Sequence, residues 1–437
     1  MTNEMTQKYL SDFEGVGTTH PLWLQKIRHQ AMRRFGELGF PTTRQEEWRY
    51  TSVEPIIKKT FRTPETYRPD GLNPSDLDPL GCGALASIRL VFINGQWMEK
   101  FSHLEGIDGI LVSSLANQLK AGDDRVKNSL TRYAPYSENP FTALNTAFIS
   151  DGAFILLPKN SRFEKPIEIL WYTDSKDNPL MTHPRHLIIA EEGSEATILE
   201  SYFGQGSYFT NAVTEIVLGE NATLHHYKLQ REDEEAFHLS TIQASEGQAS
   251  RFTSHSLSMG GRIARNEIRS SLNEEGAECV LNGFYLTQGN QHVDHHTLID
   301  HIKPHGTSLE LYKGILDGQS TAVFDGNIIV RPHANQTNAR QTNKNLLLSN
   351  DALVNTRPLL EIHNDDVKCN HGATIGRLDE TQLFYLRSRG IENQEARALL
   401  TAAFAQEVIQ GVKIDPLKAY LDHELRNRLK NRRQEVS

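Results

Sequence analysis

Two short clusters carry the residue types that bind metals or do thiol chemistry. The first is Gln291-His292-Val293-Asp294-His295-His296, continuing to His301 and His305. Alternate side chains of an extended strand share a face. His292, Asp294 and His296 would then point the same way, and two imidazoles with a carboxylate can bind iron, zinc or manganese. Set against this is the commoner fate of strand histidines, as polar rungs bonded to one another or as solvent-facing side chains. The second cluster is Asp365-Asp366-Val367-Lys368-Cys369-Asn370-His371-Gly372. Cys369 and His371 would share a face, and thiolate and imidazole suit iron or zinc. Two ligands are too few to hold a metal tightly, so such a site would need another subunit to complete it. A buried structural cysteine beside a capping histidine accounts for the same residues equally well. As a thiol nucleophile the pair ranks lower. Alternate strand positions stand roughly 6–7 Å apart, which is long for direct activation by a base.

Other chemical engines are missing. No GxxxxGK[ST] occurs, so the chain should not hydrolyse ATP by itself. There is no HExxH and no GxSxG. Gly81-Cys82-Gly83-Ala84-Leu85-Ala86 formally matches GxGxx[GA], but it follows no strand and leads into a strand-like run rather than a helix. It is not read as a nucleotide site. The net charge of −9 leaves no basic field for nucleic acid and no polybasic run for a membrane surface. The basic stretch Arg426 to Arg433 fits the preference of cations for a helix C-terminus better than RNA binding. No run of ~18 apolar residues is present, and the first residues do not read as a secretory signal. The three cysteines, Cys82, Cys279 and Cys369, form no CxxC pair. That argues against a disulfide framework and for a reducing, cytoplasmic compartment.

The elements that would position these residues can be read in outline. A chain of 437 residues is expected to form two or three domains. Leu24, Ile27, Ala31, Phe35 and Leu38 recur at helical spacing, and Gly39-Phe40-Pro41 ends the run. Residues 64 to 80 read as a linker. Arg89 to Ile93, Asn94-Gly95 and Gln96-Trp97 read as a hairpin. A helix pair with a Pro-rich break fits 126 to 148. From about Gly152 no helical period survives for some 220 residues, and short apolar runs alternate with turn residues. Gly193, Gly219, Gly247 and Gly276 each open a similar phrase with a small residue three positions on, and Gly318 opens a less regular one. A turn of a parallel β-coil consumes ~20–30 residues, so the repeat favours such a coil over an antiparallel sandwich. Glycine would fit corners where φ is positive. A coil has open ends that need caps or partners. The C-terminal residues supply helices: Asp379-x-x-Gln382 with a stop at Gly390, a second helix with Ala396, Leu400, Ala403, Glu407 and Val408 on one face, and a third that Asp415-Pro416 starts and Leu417, Leu421, Leu425 and Leu429 carry.

Longer phrases carry a resemblance. Asp366-Val-Lys-Cys-Asn-His-Gly-Ala-Thr374 and Gln382-Leu-Phe-Tyr-Leu-Arg-Ser-Arg-Gly-Ile391 are similar to the SufD family of the SUF iron–sulfur cluster assembly machinery. So are Glu310-Leu-Tyr-Lys-Gly-Ile315, Val323-Phe-Asp-Gly326, the run Ala339 to Leu348, Leu359-Leu-Glu-Ile362, and Glu46-Glu-Trp-Arg-Tyr-Thr51 near the N-terminus. The resemblance covers nearly the whole chain and is strongest from about 250 to 405. It implies a mainly β fold, a right-handed parallel β-helix flanked by N-terminal and C-terminal helical subdomains. The divisions would be 1–150, mostly helical with a short hairpin, 151–375 for the β-helix core, and 376–437 for a C-terminal subdomain that docks an ATPase. It implies pairing with SufB through the β-helix and with the SufC ATPase through the C-terminal helices. Cys369 and His371 match the family's Cys-x-His position at the SufB interface, with Asn370 where Ser is more usual. The implied cofactor is a transient iron–sulfur cluster or iron shared with SufB, none being held stably alone, and SufB would supply a thiolate across the interface.

Three functions follow as expectations. The first is a non-enzymatic scaffold subunit of cluster assembly, cytoplasmic, without nucleic-acid or membrane partners, with a homodimer possible in isolation. The second is a stand-alone β-helix enzyme acting on polysaccharide, which low aromatic content (8%) disfavours. The third is a single-chain metalloenzyme built on His292, Asp294 and His296.

Overall fold

The computed structural model describes residues 2–15, 20–64, 72–73, 77, 88–107 and 109–435. The Gly81–Ala86 phrase, most of the 64–80 linker and Cys82 lie outside them.

The middle of the chain is a parallel β-solenoid of about eight turns. Each turn contributes one strand to each of two stacks. One stack runs through Ile167–Thr182, the first half of Glu195–Leu218, Thr223–Arg231, Arg251–Ser258, Glu278–Thr287, Thr307–Leu316, Thr337–Leu347 and Val367–Gly376. The other runs through Ala153–Leu157, Arg185–Ala190, the second half of Glu195–Leu218, Phe237–Glu246, Ile263–Leu272, His292–His301, Thr321–Val330 and Leu353–Ile362. All of these ladders are parallel, which excludes the antiparallel sandwich. Antiparallel pairing among the described residues is confined to the N-terminal side, at the 88–97 hairpin, at the isolated bridge between Arg89 and His103, and between Leu111–Ser114 and Ala153–Leu157.

The periodicity has two physical sources. At one corner, Asn160, Gly193, Asn221, Ala249, Gly276, His305 and Gln336 all have positive φ. Each donates its N–H to the next rung, as Gly193 does to Glu220 O at 2.8 Å and Ala249 to Glu275 O at 2.9 Å. The glycine phrases therefore mix two roles. Gly193 and Gly276 occupy the left-handed corner. Gly219 and Gly247 stand two residues before it, where a Cβ would meet Glu192 N or Leu218 O at 2.8 Å, so close approach of the preceding rung requires them. The small residues Ala196, Ala222, Ser250 and Cys279 are buried, as a narrow interior demands.

Inward-facing residues stack in columns one turn apart. One column is Ile88, Ile167, Ile198, His226, Ser254, Leu281, Glu310, Gln341 and His371. It starts apolar and turns polar toward the C-terminal end. Ile88 belongs to the hairpin. Its strand, Ile88–Ile93, pairs in parallel with Ile167–Thr182, so part of the N-terminal region caps the first rung.

The outer faces are covered from opposite sides. Tyr9, Met32, Phe35, Trp48 and Phe141 of the N-terminal helices and loops pack on Phe209, Phe237, Leu239 and Ile263. The C-terminal helices Glu380–Ser388, Asn393–Ile409 and Asp415–Glu435 pack on Tyr227, Leu257, Phe284 and Ile315 through Leu383, Val408, Leu417, Leu421 and Leu425. Burying each such side chain contributes about 1.5–3 kcal/mol. The second C-terminal helix buries Ala396, Thr401, Ala405, Val408 and Ile409, whereas Ala403 is exposed. The expected face is rotated because the helix touches both the coil and the last helix. Glu407 stays at the surface, where it pairs with Lys313 at 2.5 Å and Lys344 at 3.3 Å.

Candidate functional site

The coil is closed at its start and open at its finish. In its last rung Val367–Gly376 is largely exposed and Leu353–Ile362 mostly half-buried. Ile362 and Ile375, which by alternation face the coil axis, are 40% and 48% exposed. A Cβ at Gly372 or Gly376 would meet nothing within 4 Å.

Cys369 and His371 sit on this rung. They are in register with Ala339 and Gln341, both fully buried on the inward face. The two side chains therefore share the inward face, as alternation requires, on the rung at the coil's open end. Cys369 is half-buried and packs at the edge of the interior cluster. Burial pushes its thiol upward, an effect the Ala339 backbone partly offsets. A thiol so placed is not activated as a nucleophile, but a metal would deprotonate it on binding. Among the described residues no three of His, Cys, Asp and Glu are grouped to hold a metal.

Beneath the rung lies a buried polar layer. Gln341 Nε2 donates to Glu310 Oε2 at 2.7 Å. Asn343 Nδ2 donates to Tyr285 Oη at 3.2 Å, and Asn345 Nδ2 donates to Asn343 Oδ1 at 2.6 Å. His295 stands between the rings of Tyr285 and Tyr312, with neither ring nitrogen bonded among the described residues. Burial drives its pKa down to about 3 and pushes Glu310 up to about 7. Deeper in, Lys228 Nζ lies 2.7 Å from His238 Nε2, and Glu232 Oε2 lies 2.7 Å from the other nitrogen of that ring. Burial brings Lys228 down to about 7. Sequence reading missed this layer. The available signal was the spacing of Glu310, Gln341 and His371 by one turn each, which appears only once the rung length is known.

His292, Asp294 and His296 do share the outward face of their strand, but the structure uses them otherwise. Asp294 forms an ion pair with Arg265. It also accepts from Thr51 Oγ1 at 2.5 Å, and that hydroxyl in turn stands 2.9 Å from His292 Nε2. His296 Nε2 lies 3.0 Å from Asp294 Oδ1. Burial would raise the Asp294 carboxyl, but Arg265 and the neighbouring imidazoles outweigh it and hold it well below the usual range. Arg265 stacks on Trp48 at 3.9 Å and donates to Glu47 O at 3.0 Å, and Arg357 ties Glu46 to Asp325. The cluster clamps the segment Glu46–Thr51 onto the coil. His301 is buried and bonded to Ser308 at 2.9 Å, and His305 is a corner residue.

The C-terminal helices leave apolar surface uncovered. Phe384 and Tyr385 are 72% and 57% exposed, and Leu399 is 47% exposed. No helix of the described residues is long and apolar enough to cross a membrane.

Comparison with known proteins agrees with this architecture. Residues 172–404 match the core domain of the SufBD proteins of SUF-system FeS cluster assembly, and residues 3–169 match the SufBD N-terminal region. The chain is 33% identical to an iron–sulfur cluster assembly SufBD family protein of Synechocystis, over 93% of this chain and 91% of the relative. It is 32% identical to the iron–sulfur cluster assembly protein SufD of Escherichia coli, over 93% and 92%. It is 30% identical to the chloroplastic protein ABCI7 of Arabidopsis thaliana, over 92% and 85%. A β-solenoid of this form, matched by both domain models over nearly its full length, belongs to the SufBD family of SUF iron–sulfur cluster assembly proteins.

Proposed function

We propose that this chain is a scaffold subunit of cluster assembly that pairs with a SufB subunit through the open end of its coil. In that assembly it contributes Cys369 and His371 to a site shared across the interface. The carrying observation is their placement as two ligand-type side chains, inward-facing, on the one coil end left uncovered. An edge strand with exposed apolar neighbours invites a partner strand, and SufB would add the donors that this rung lacks. Ligands drawn from two chains suit iron or a nascent cluster that must depart. The exposed Phe384, Tyr385 and Leu399 on the C-terminal helices are the surface offered to the SufC ATPase. The role is non-enzymatic and cytoplasmic.

The test is His371→Ala in the complex purified anaerobically with SufB and SufC. The variant is expected to assemble and melt as the native complex does, with iron and sulfide content reduced several-fold. Native iron content with native assembly activity would refute the assignment. A metalloenzyme centred on Asp294 has no support in the geometry, because its carboxylate is already engaged by Arg265 and Thr51.

A further inference from the structure

His371 stands directly over Gln341, and Gln341 over Glu310. Gln341 and Glu310 are fully buried. The amide of Gln341 spends its donor end on Glu310, at 2.7 Å. Its acceptor, Oε1, is buried and has no hydrogen-bond partner among the described residues. A buried carbonyl left without a donor is unfavourable, so this position is set for a donor that the isolated rung does not supply.

Geometry restricts where that donor can be. The two ends of a primary amide diverge, and here the nitrogen is turned to the rung below. The oxygen is left for a donor from elsewhere, and the rung stacked on the other side of Gln341 carries His371. Rungs are ~4.8 Å apart, so the exposed His371 imidazole, folded back over the amide, would come within hydrogen-bonding reach of it. Space fixes the amide as well. A Cβ at Gly326, on the facing stack, would lie 2.3 Å from Gln341 Nε2 and 2.9 Å from the ring of Phe324. Glycine there makes the seat in which the amide lies. Glu310 accepts from Nε2 whether or not it carries a proton, so the amide orientation does not depend on its charge.

We propose that Gln341, oriented by Glu310 and seated against Gly326, is a positioning residue for His371: its Oε1 accepts a hydrogen bond from one imidazole N–H and so presents the other ring nitrogen to iron in the shared site. The inference rests on the reading of His371 as a ligand-type residue given above. Metal-binding imidazoles almost always donate their second nitrogen to such an acceptor, which fixes tautomer and ring orientation. The acceptor type also matters. A carboxylate would make the ring a stronger donor and hold the metal harder. An amide orients the ring without adding charge, which suits iron that is passed on.

The experiment is anaerobic ferrous titration of the full complex, comparing Q341L, E310L, E310Q, the double variant E310L/Q341L, H371A and H371A/Q341L, with a melting curve for each. Q341L is expected to weaken ferrous binding about 10- to 100-fold. E310L should weaken it too, whereas E310Q, which keeps an amide oxygen facing Gln341, should bind as the native complex does. E310L/Q341L fills the layer with apolar side chains and leaves no orphaned carboxyl. It should show the same loss as Q341L even if the single variant is poorly folded. In the H371A background, Q341L should cause no further loss. Native affinity in both Q341L and the double variant, or loss that adds to that of H371A, would overturn the inference. Native affinity in H371A would instead refute the ligand reading on which it stands.

Discussion

Asp294 shows how a residue type that suits metal can be committed elsewhere. Its carboxylate balances the buried Arg265, and that guanidinium lies on Trp48. Removing one partner of a buried ion pair leaves the other uncompensated and costs about 3–5 kcal/mol. Asp294→Asn should therefore lower the denaturation midpoint by an amount corresponding to roughly 3 kcal/mol, while the iron content of the assembled complex stays native. Loss of iron at unchanged stability would restore the metal reading of His292, Asp294 and His296. The contrast with His371 is one of surroundings. His371 lies on an uncovered rung, whereas Asp294 is sealed beneath the Glu46–Thr51 segment.

The corner ladder sets the geometry of the strands. Its left-handed positions are occupied by glycine at 193 and 276, but by alanine at 249, with φ of 49°. A non-glycine residue held there costs about 1–2 kcal/mol. Ala249→Gly should accordingly raise the midpoint of chemical denaturation, by an amount corresponding to about 1 kcal/mol once the greater freedom of glycine in the unfolded chain is discounted. Gly276→Ala should lower it by a similar amount. A fall in midpoint for Ala249→Gly would show that the methyl group contributes more than the corner strain costs. The same ladder explains why the glycine repeat is imperfect in sequence. Rung equivalence follows the hydrogen bond from corner to corner, and that bond accepts Gly, Asn, Ala, His or Gln at its donor.

Across the molecule, the interior holds an unusual amount of titratable material. Burial lowers His183 and His295 to about 3, and His186, His255 and His301 to about 4. The unfolded chain binds a proton at each of these positions below about pH 6.5, and the fold does not until pH 3–4. Stability therefore rises with pH through this window and is lost as the pH falls. Glu246 and Glu310 act in the opposite direction. Burial raises them to about 8 and about 7, so the fold binds their protons at a pH where the unfolded chain has released them. Five histidines outweigh two carboxyls, and the melting temperature should fall steadily between pH 6.5 and pH 4. In Glu246→Gln the decline should be steeper, because one opposing group is gone. A melting temperature that is flat or rises on acidification would refute the account of the interior.

Alternation and turn chemistry are local, and they made much of this protein legible in its sequence. The long stretch without helical period, the recurring small residues and turn phrases, and the punctuation of the C-terminal helices announced a coil flanked by helices. Alternation alone put Cys369 and His371 on one face. Counting donors, the pair was expected to need others from a partner to hold a metal. Tertiary structure decided how each cluster is surrounded. Whether a polar residue is sealed, as Asp294 is by Thr51 and Arg265, or left at an open end, as His371 is, depends on which distant segment covers it. The stacking of Gln341 and Glu310 beneath His371 was likewise hidden. It joins residues 30 and 31 positions apart, and those spacings acquire meaning only when the solenoid brings successive turns into register.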